Sequence, residues 1–116
     1  MAITISLSPL NIDGSGNNLT YAVATLTFSG NYVVGGDTLD FTQIEDKLQS
    51  TQIIQAFVDS QNGSAGYYVP VQGSSFNNWK LKAFTGGGTE LTAVAYSTTF
   101  VNTDVAQITI TARKLQ

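Results

Sequence analysis

The sequence predicts an all-β fold: a single antiparallel β-sandwich or jelly-roll-like domain with at most one short helix. Three observations carry that reading. Apolar and polar residues alternate with a period of two through most of the chain, the signature of strands with one buried face. Clusters of Gly, Asn and Ser punctuate the alternating runs at the close spacing of a sandwich or barrel. The chain has 116 residues, 42% hydrophobic and only 11% charged, enough for one modest core under a surface built from Thr, Ser, Asn and Gln. No linker or shift in composition marks a second domain, so residues 1–116 are read as one unit.

The first run sets Ile3, Ile5 and Leu7 against Thr4 and Ser6, a half-buried strand. Residues 1–18 also make a candidate extended arm and loop, because a short terminal strand followed by polar residues can pair with another chain's open sheet edge. Ile3, Ile5 and Leu7 are then the candidate interaction residues. The first strand of the chain's own sandwich is the plainer and favoured reading.

From Thr20 to Phe28, Ala22, Ala24, Leu26 and Phe28 share one face, and Tyr21, Val23, Thr25 and Thr27 the other. Gly30-Asn31 reads as a two-residue hairpin turn before Tyr32, since both residues accept positive φ. Thr42 to Leu48 is the one helical stretch: Thr42 with Glu45 fits a capping box, and Ile44 and Leu48 share a face. Strands are expected over 52–59, 67–72, 79–85 and 91–97, all rich in β-branched and aromatic residues. In the third of these Trp79, Leu81 and Ala83 face inward, and Lys80 and Lys82 outward. The last strand sets Ala106, Ile108, Ile110 and Ala112 against Gln107, Thr109, Thr111 and Arg113. The phrases Gly35-Gly36-Asp37-Thr38-Leu39 and Gly87-Gly88-Thr89-Glu90-Leu91 read as two similar glycine turns rather than a repeat.

Composition excludes much chemistry. Five basic residues against eight acidic ones, a net charge of −3 and a pI near 4.4 argue against a partner bound through phosphates. The chain has no Cys and no His, so disulfides, thiolate metal sites, thiol nucleophiles and every Ser-His-Asp arrangement are ruled out. The N-terminus lacks the basic start of a signal peptide, and no apolar stretch reaches the length of a membrane span. A soluble product that meets neither membrane nor nucleic acid is expected.

The remaining candidates are weak. Asp13 to Asn17 alternates oxygen side chains as a calcium loop does, but Asn18 and Ala24 stand where that loop needs Gly and Glu. Gly86-Gly87-Gly88-Thr89 lacks the lysine and the helix of a phosphate cradle. Asp37 with Asp40, and Glu45 with Asp46, are carboxylate pairs without a visible cleft. The Asn18 and Asn62 sequons read as loop residues. No catalytic residue, cofactor or metal is therefore assigned, and the chain is expected not to be an enzyme. Trp79, Tyr32, Tyr67, Tyr68 and Tyr96 could stack on sugars, although Trp79 fits the core face of its strand better.

Two phrases, from Val23 to Tyr32 and from Gly35 to Phe41, resemble small virion proteins of tailed bacteriophages. So do Trp79 to Phe84 with the following glycine turn and Thr89-Glu90-Leu91, and the closing Ile108 to Lys114. The resemblance runs from about Leu19 to the C-terminus and is one of pattern. It implies a non-enzymatic structural role, with capsid decoration (cement) proteins and head fibres as the closest types. The partner it implies is the major capsid protein, the assembly a homotrimer, and the place the outer capsid surface after synthesis in the host cytoplasm. The competing reading is a glycan-binding β-sandwich of a head fibre or receptor-binding protein. A carboxylate-dependent hydrolase is a weaker third.

Overall fold

The computed structural model describes residues 2–14, 18–61 and 65–114. They form two antiparallel sheets packed face to face. The first contains β1 (Ile3–Ser6), β2 (Ile12–Asp13), β3 (Leu19–Phe28), β5 (Ser50–Ser60) and β8 (Ala106–Lys114). Its order is β1-β3-β8-β5, with β2 also on β3. The second contains β4 (Asp37–Leu39), β6 (Gly66–Val71) and β7 (Trp79–Thr85), in the order β4-β7-β6.

Strand β8 lies between β3 and β5 because its alternation is the cleanest in the chain. Ala106, Ile108, Ile110 and Ala112 are all fully buried. The neighbouring strands answer them in size. Ile110 sits between Ala22 and Ala56, and Ala106 lies opposite Leu26. Large residues are mostly met by small ones across the ladder, the pattern by which facing side chains interdigitate.

Strands β1 and β2 are one edge strand broken by a turn. Both run antiparallel to β3, Ile3 opposite Phe28 and Ile12 opposite Ala22. The break is a 3-10 turn over Pro9–Asn11, opened by Ser8, whose side chain accepts the Leu10 N–H. Strand β5 solves a different problem. Its register on β8 shifts between Ser50 and Gln52 and again between Ile53 and Gln55. The second bulge flips the inward parity, so that Ile53 is buried before it and Ala56 and Val58 after it. An unbroken alternation could not bury all three.

The helical stretch lies where the sequence predicts it, starting one residue earlier, but it is mixed in type and differently capped. A 3-10 turn covers Phe41–Ile44, and one α-helical turn, α1 (Glu45–Leu48), follows it. The cap is Asp40 rather than Thr42: its carboxylate accepts both the backbone N–H and the hydroxyl of Thr42. Ile44 and Leu48 are buried together, as their spacing predicts.

Two further expectations are corrected. Gly30-Asn31 is not a hairpin turn, and no strand begins at Tyr32. Gly30 has φ of +72°, and the chain leaves the first sheet there. Nor is 91–97 a strand. The chain between β7 and β8 makes a tight turn over 85–88, runs back along the end of β7, and carries 3-10 turns at Tyr96–Thr98 and Phe100–Thr103. The two excursions clasp each other: Tyr32 N–H donates to Val94 and Tyr96 N–H to Gly30. Short irregular segments are held by tertiary bonds, which local propensity does not report.

Candidate functional site

Ile3, Ile5 and Leu7 point into the chain's own core and are nearly inaccessible. The outer edge of β1 is occupied as well. The Ile5 N–H donates to Gln43 Oε1 at 3.1 Å, and Gln43 Nε2 donates to the Ile3 carbonyl at 3.2 Å. Lys47 Nζ adds a bond to the Leu7 carbonyl at 3.0 Å. Gln43 and Lys47 thus stand in for a neighbouring strand, so these residues do not form an open arm.

The aromatic residues that might have stacked on a sugar do not assemble a platform. Trp79, Tyr32, Tyr68 and Tyr96 are all in the core, and Tyr67 alone of the five is exposed. It lies flat against Phe84, with ring centroids 5.2 Å apart. Trp79 meets Phe41 edge-on at 5.4 Å, an interior contact.

The buried tyrosines each hold a carboxylate. Tyr32 donates its hydroxyl to Glu90 at 2.6 Å, Tyr96 to Asp37 at 2.7 Å, and Tyr68 to Asp104 at 2.6 Å. Phe28 joins two of their rings, stacking on Tyr68 at 5.8 Å and tilting against Tyr96 at 5.2 Å, and Tyr32 meets Tyr96 edge-on at 6.1 Å. Burial first, and then the Glu90 hydrogen bond, push the Tyr32 hydroxyl up to about 12. Burial and their carboxylate partners push Tyr68 and Tyr96 well up too. The Tyr32 hydroxyl and the Gly35 N–H together hold Glu90 below the usual carboxylate range.

Such groups are engaged rather than poised. Every carboxylate in the cluster has a second donor besides its phenol: Gly35 N–H on Glu90, Thr38 N–H on Asp37, and the Ser60 hydroxyl on Asp104. The cluster pins the long connection between β7 and β8 at three points: to the segment after β3 through Tyr32, to β4 through Asp37, and to β6 and β5 through Tyr68 and Ser60. Of the sequence-stated pairs, Asp37 belongs to this cluster and Asp40 is a cap. Glu45 and Asp46 lie in the first turn of α1, where carboxylates favour the helix N-terminus. The Asp13 to Asn17 candidate falls largely outside the described residues, as does the Asn62 sequon. Gly86 to Gly88 closes a turn, with Gly88 at φ +88°.

What remains open is the outer face of the five-stranded sheet. Tyr21 is 47% exposed, Phe57 58%, and Leu10, on the turn between β1 and β2, 94%. The register aligns Val23, Thr109 and Phe57 in one row across β3, β8 and β5. Between Leu10 and that row lies an apolar groove of about 230 Å³ that includes Tyr21, Val23 and Thr109. Asp13, opposite Tyr21, lines this groove on its β2 side, and Asp59 and Arg113 lie towards the two ends of the face, so that the row of Val23, Thr109 and Phe57 carries no charge. On the opposite side of the molecule the three-stranded sheet is basic by comparison, with Lys80 and Lys82 beside Val69 and Val71. A polar cleft of about 230 Å³ separates Gln52 and Ile53 from the turn 72–76.

The sequence carried a signal for the outer face, because Tyr21 and Val23 are apolar on the supposedly wet side of their strand. It carried none for the tyrosine–carboxylate pairs, whose members lie 36 to 59 residues apart. Among the described residues no group of acidic side chains has the arrangement to hold a metal ion, and no helix is long and apolar enough to cross a membrane. The chain matches no known protein family, curated protein or solved structure.

Proposed function

We propose that this chain is a non-enzymatic structural protein of a bacteriophage virion, a capsid decoration protein that stabilises the outer head shell where major capsid subunits meet. One observation carries the reading: the outer face of the five-stranded sheet, whose central row of Val23, Thr109 and Phe57 is uncharged and lies beside the exposed Tyr21, with Asp13, Asp59 and Arg113 around it. Contact surfaces between proteins are depleted of charge at their centre and rimmed by polar groups. Exposed apolar patches of this kind mark interaction sites more often than idle surface.

The rest of the molecule suits a load-bearing part. Its long connection is tied down by three phenol–carboxylate bonds, and no buried side-chain polar atom among the described residues lacks a partner. A rigid module presenting a flat face needs little ordering on binding, so less of the contact energy is lost to entropy. The placement on a phage head comes from the sequence resemblance. The trimer rests on that resemblance alone.

Sedimentation with phage heads stripped of their own decoration protein tests the proposal: the chain is expected to co-sediment with them in a saturable way. Failure to bind heads, together with binding on a glycan array that Tyr67→Ala abolishes, would replace it with the glycan-binding reading.

A further inference from the structure

The two sheets present four outer edges, and three of them are blocked by the chain itself. Gln43 and Lys47 occupy β1. On β4 the Thr38 N–H, which points away from β7, is taken by Asp37 Oδ1 at 2.9 Å. On β6 the obstacle is Pro70. Leu91 N–H donates to Ala83 and Thr85 N–H to Thr89, so the odd residues of β7 face away from β6. The bonds to β6 must then use Lys80, Lys82 and Phe84, opposite Val71, Val69 and Tyr67. Pro70 lies at the alternate position, where the missing N–H falls on the free edge.

Strand β5 has no such device. Lys114 N–H donates to Asn18 on the β3 side, and Gln61 N–H to Val105 on the β5 side. By that parity Gln55, Phe57 and Asp59 bond to β8, while the amides of Ala56 and Val58 face outward. Among the described residues no side chain bonds to either. The segment from Gln55 to Ser60 keeps one register on β8, past both bulges.

We propose that the free edge of β5 pairs antiparallel with the same edge of a second copy about a two-fold axis, with Phe57 against Phe57. Two registers centred on this segment use the outward amides. Centred on Val58, pairing would set each Phe57 ring against the Asp59 carboxylate of the other copy. Centred on Phe57, it sets ring against ring at a close, non-hydrogen-bonded position, with Ala56 and Val58 exchanging the backbone bonds and Gln55 facing Asp59. The second arrangement matches aromatic with aromatic and amide with carboxylate, and no like charges meet. The contact is isologous, so it closes at two copies. It therefore competes with the trimer that the resemblance implies. Five paired residues a side, Gln55 to Asp59, bury less than the roughly 800 Å² per partner of a standard interface, so the dimer dissociates on dilution.

The chain has no cysteine, which makes the register directly testable. Phe57→Cys is expected to form a disulfide-linked dimer under mild oxidation with diamide. Asp59→Cys is expected to form no disulfide-linked dimer, its thiols held about 13 Å apart by four residues of strand. Mixed Gln55→Cys and Asp59→Cys chains should cross-link to each other, a second reading that leaves Phe57 intact. Sedimentation of the native chain from about 1 µM to about 1 mM, the range in which weak interfaces fill, should show a monomer–dimer equilibrium. Phe57→Lys should shift it to monomer with an unchanged thermal midpoint. A monomer throughout, a trimeric mass, or Asp59→Cys cross-linking as readily as Phe57→Cys would overturn the proposal.

Discussion

Tyr96 and Asp37 show how single side chains hold the irregular half of this molecule. Removing the Tyr96 hydroxyl leaves a buried carboxylate oxygen without its donor, a loss of about 1–3 kcal/mol. Tyr96→Phe is therefore expected to lower the urea midpoint with an unchanged m-value, and an unaltered midpoint would deny the pinning role. The three phenols also set an alkaline limit. An unfolded phenol releases its proton near pH 10, whereas folded Tyr32 holds its proton to about 12 and Tyr68 and Tyr96 are shifted in the same direction. Above about pH 10 the folded state binds more protons than the unfolded one, so stability is full below that pH and falls as pH rises. The fall should be shallower in Tyr68→Phe, which removes one of the linked protons. For Glu90 the sign reverses: its lowered folded value gives stability that is present above the ordinary carboxylate range and is lost on acidification. Gly66 offers a steric check at the same scale. A Cβ there would run into the Phe100 ring and the Phe84 carbonyl, so Gly66→Ala is expected to cost about 1–3 kcal/mol by overpacking.

At the scale of elements, edge control separates this sandwich from an aggregating one. Gln43→Ala frees the Ile5 N–H and the Ile3 carbonyl on β1 at once. It is expected to destabilise the chain by about 1–2 kcal/mol and to promote concentration-dependent association, seen by light scattering; unchanged scattering and stability would show that the edge needs no cover. Periodicity made the regular strands legible. The strand from Trp79 to Thr85 and the inward faces of Ala106 to Ala112 and Ala22 to Leu26 lie where alternation puts them. Elements whose order comes from distant partners were not legible. The segment 91–97 reads as a strand by composition but is bent by the Tyr96–Asp37 bond and the clasp to Gly30. Strand β4 has only three residues and exists because β7 offers an edge to Asp37 and Leu39. The Asp40 cap went unread because Thr42 and Glu45 offered a competing capping pattern nearby. The candidate site was half visible, in Tyr21 and Val23. Leu10 and Phe57 join them only through the turn at Pro9 and the bulge before Gln55.

The whole molecule has two unlike sides, a face on the five-stranded sheet whose central row of Val23, Thr109 and Phe57 is uncharged and a face carrying Lys80 and Lys82 on the smaller one. The proposed function assigns the capsid contact to the first. Binding of charge-bearing variants to decoration-free heads tests that assignment most directly. Leu10→Asp and Val23→Asp place a carboxylate in the apolar field without touching the core. Each is expected to weaken binding at least tenfold while the thermal midpoint stays put. Lys80→Glu, on the far side, is expected to bind as the native chain does. Heads that take up Leu10→Asp and Val23→Asp normally but reject Lys80→Glu would contradict the account and move the contact to the other sheet.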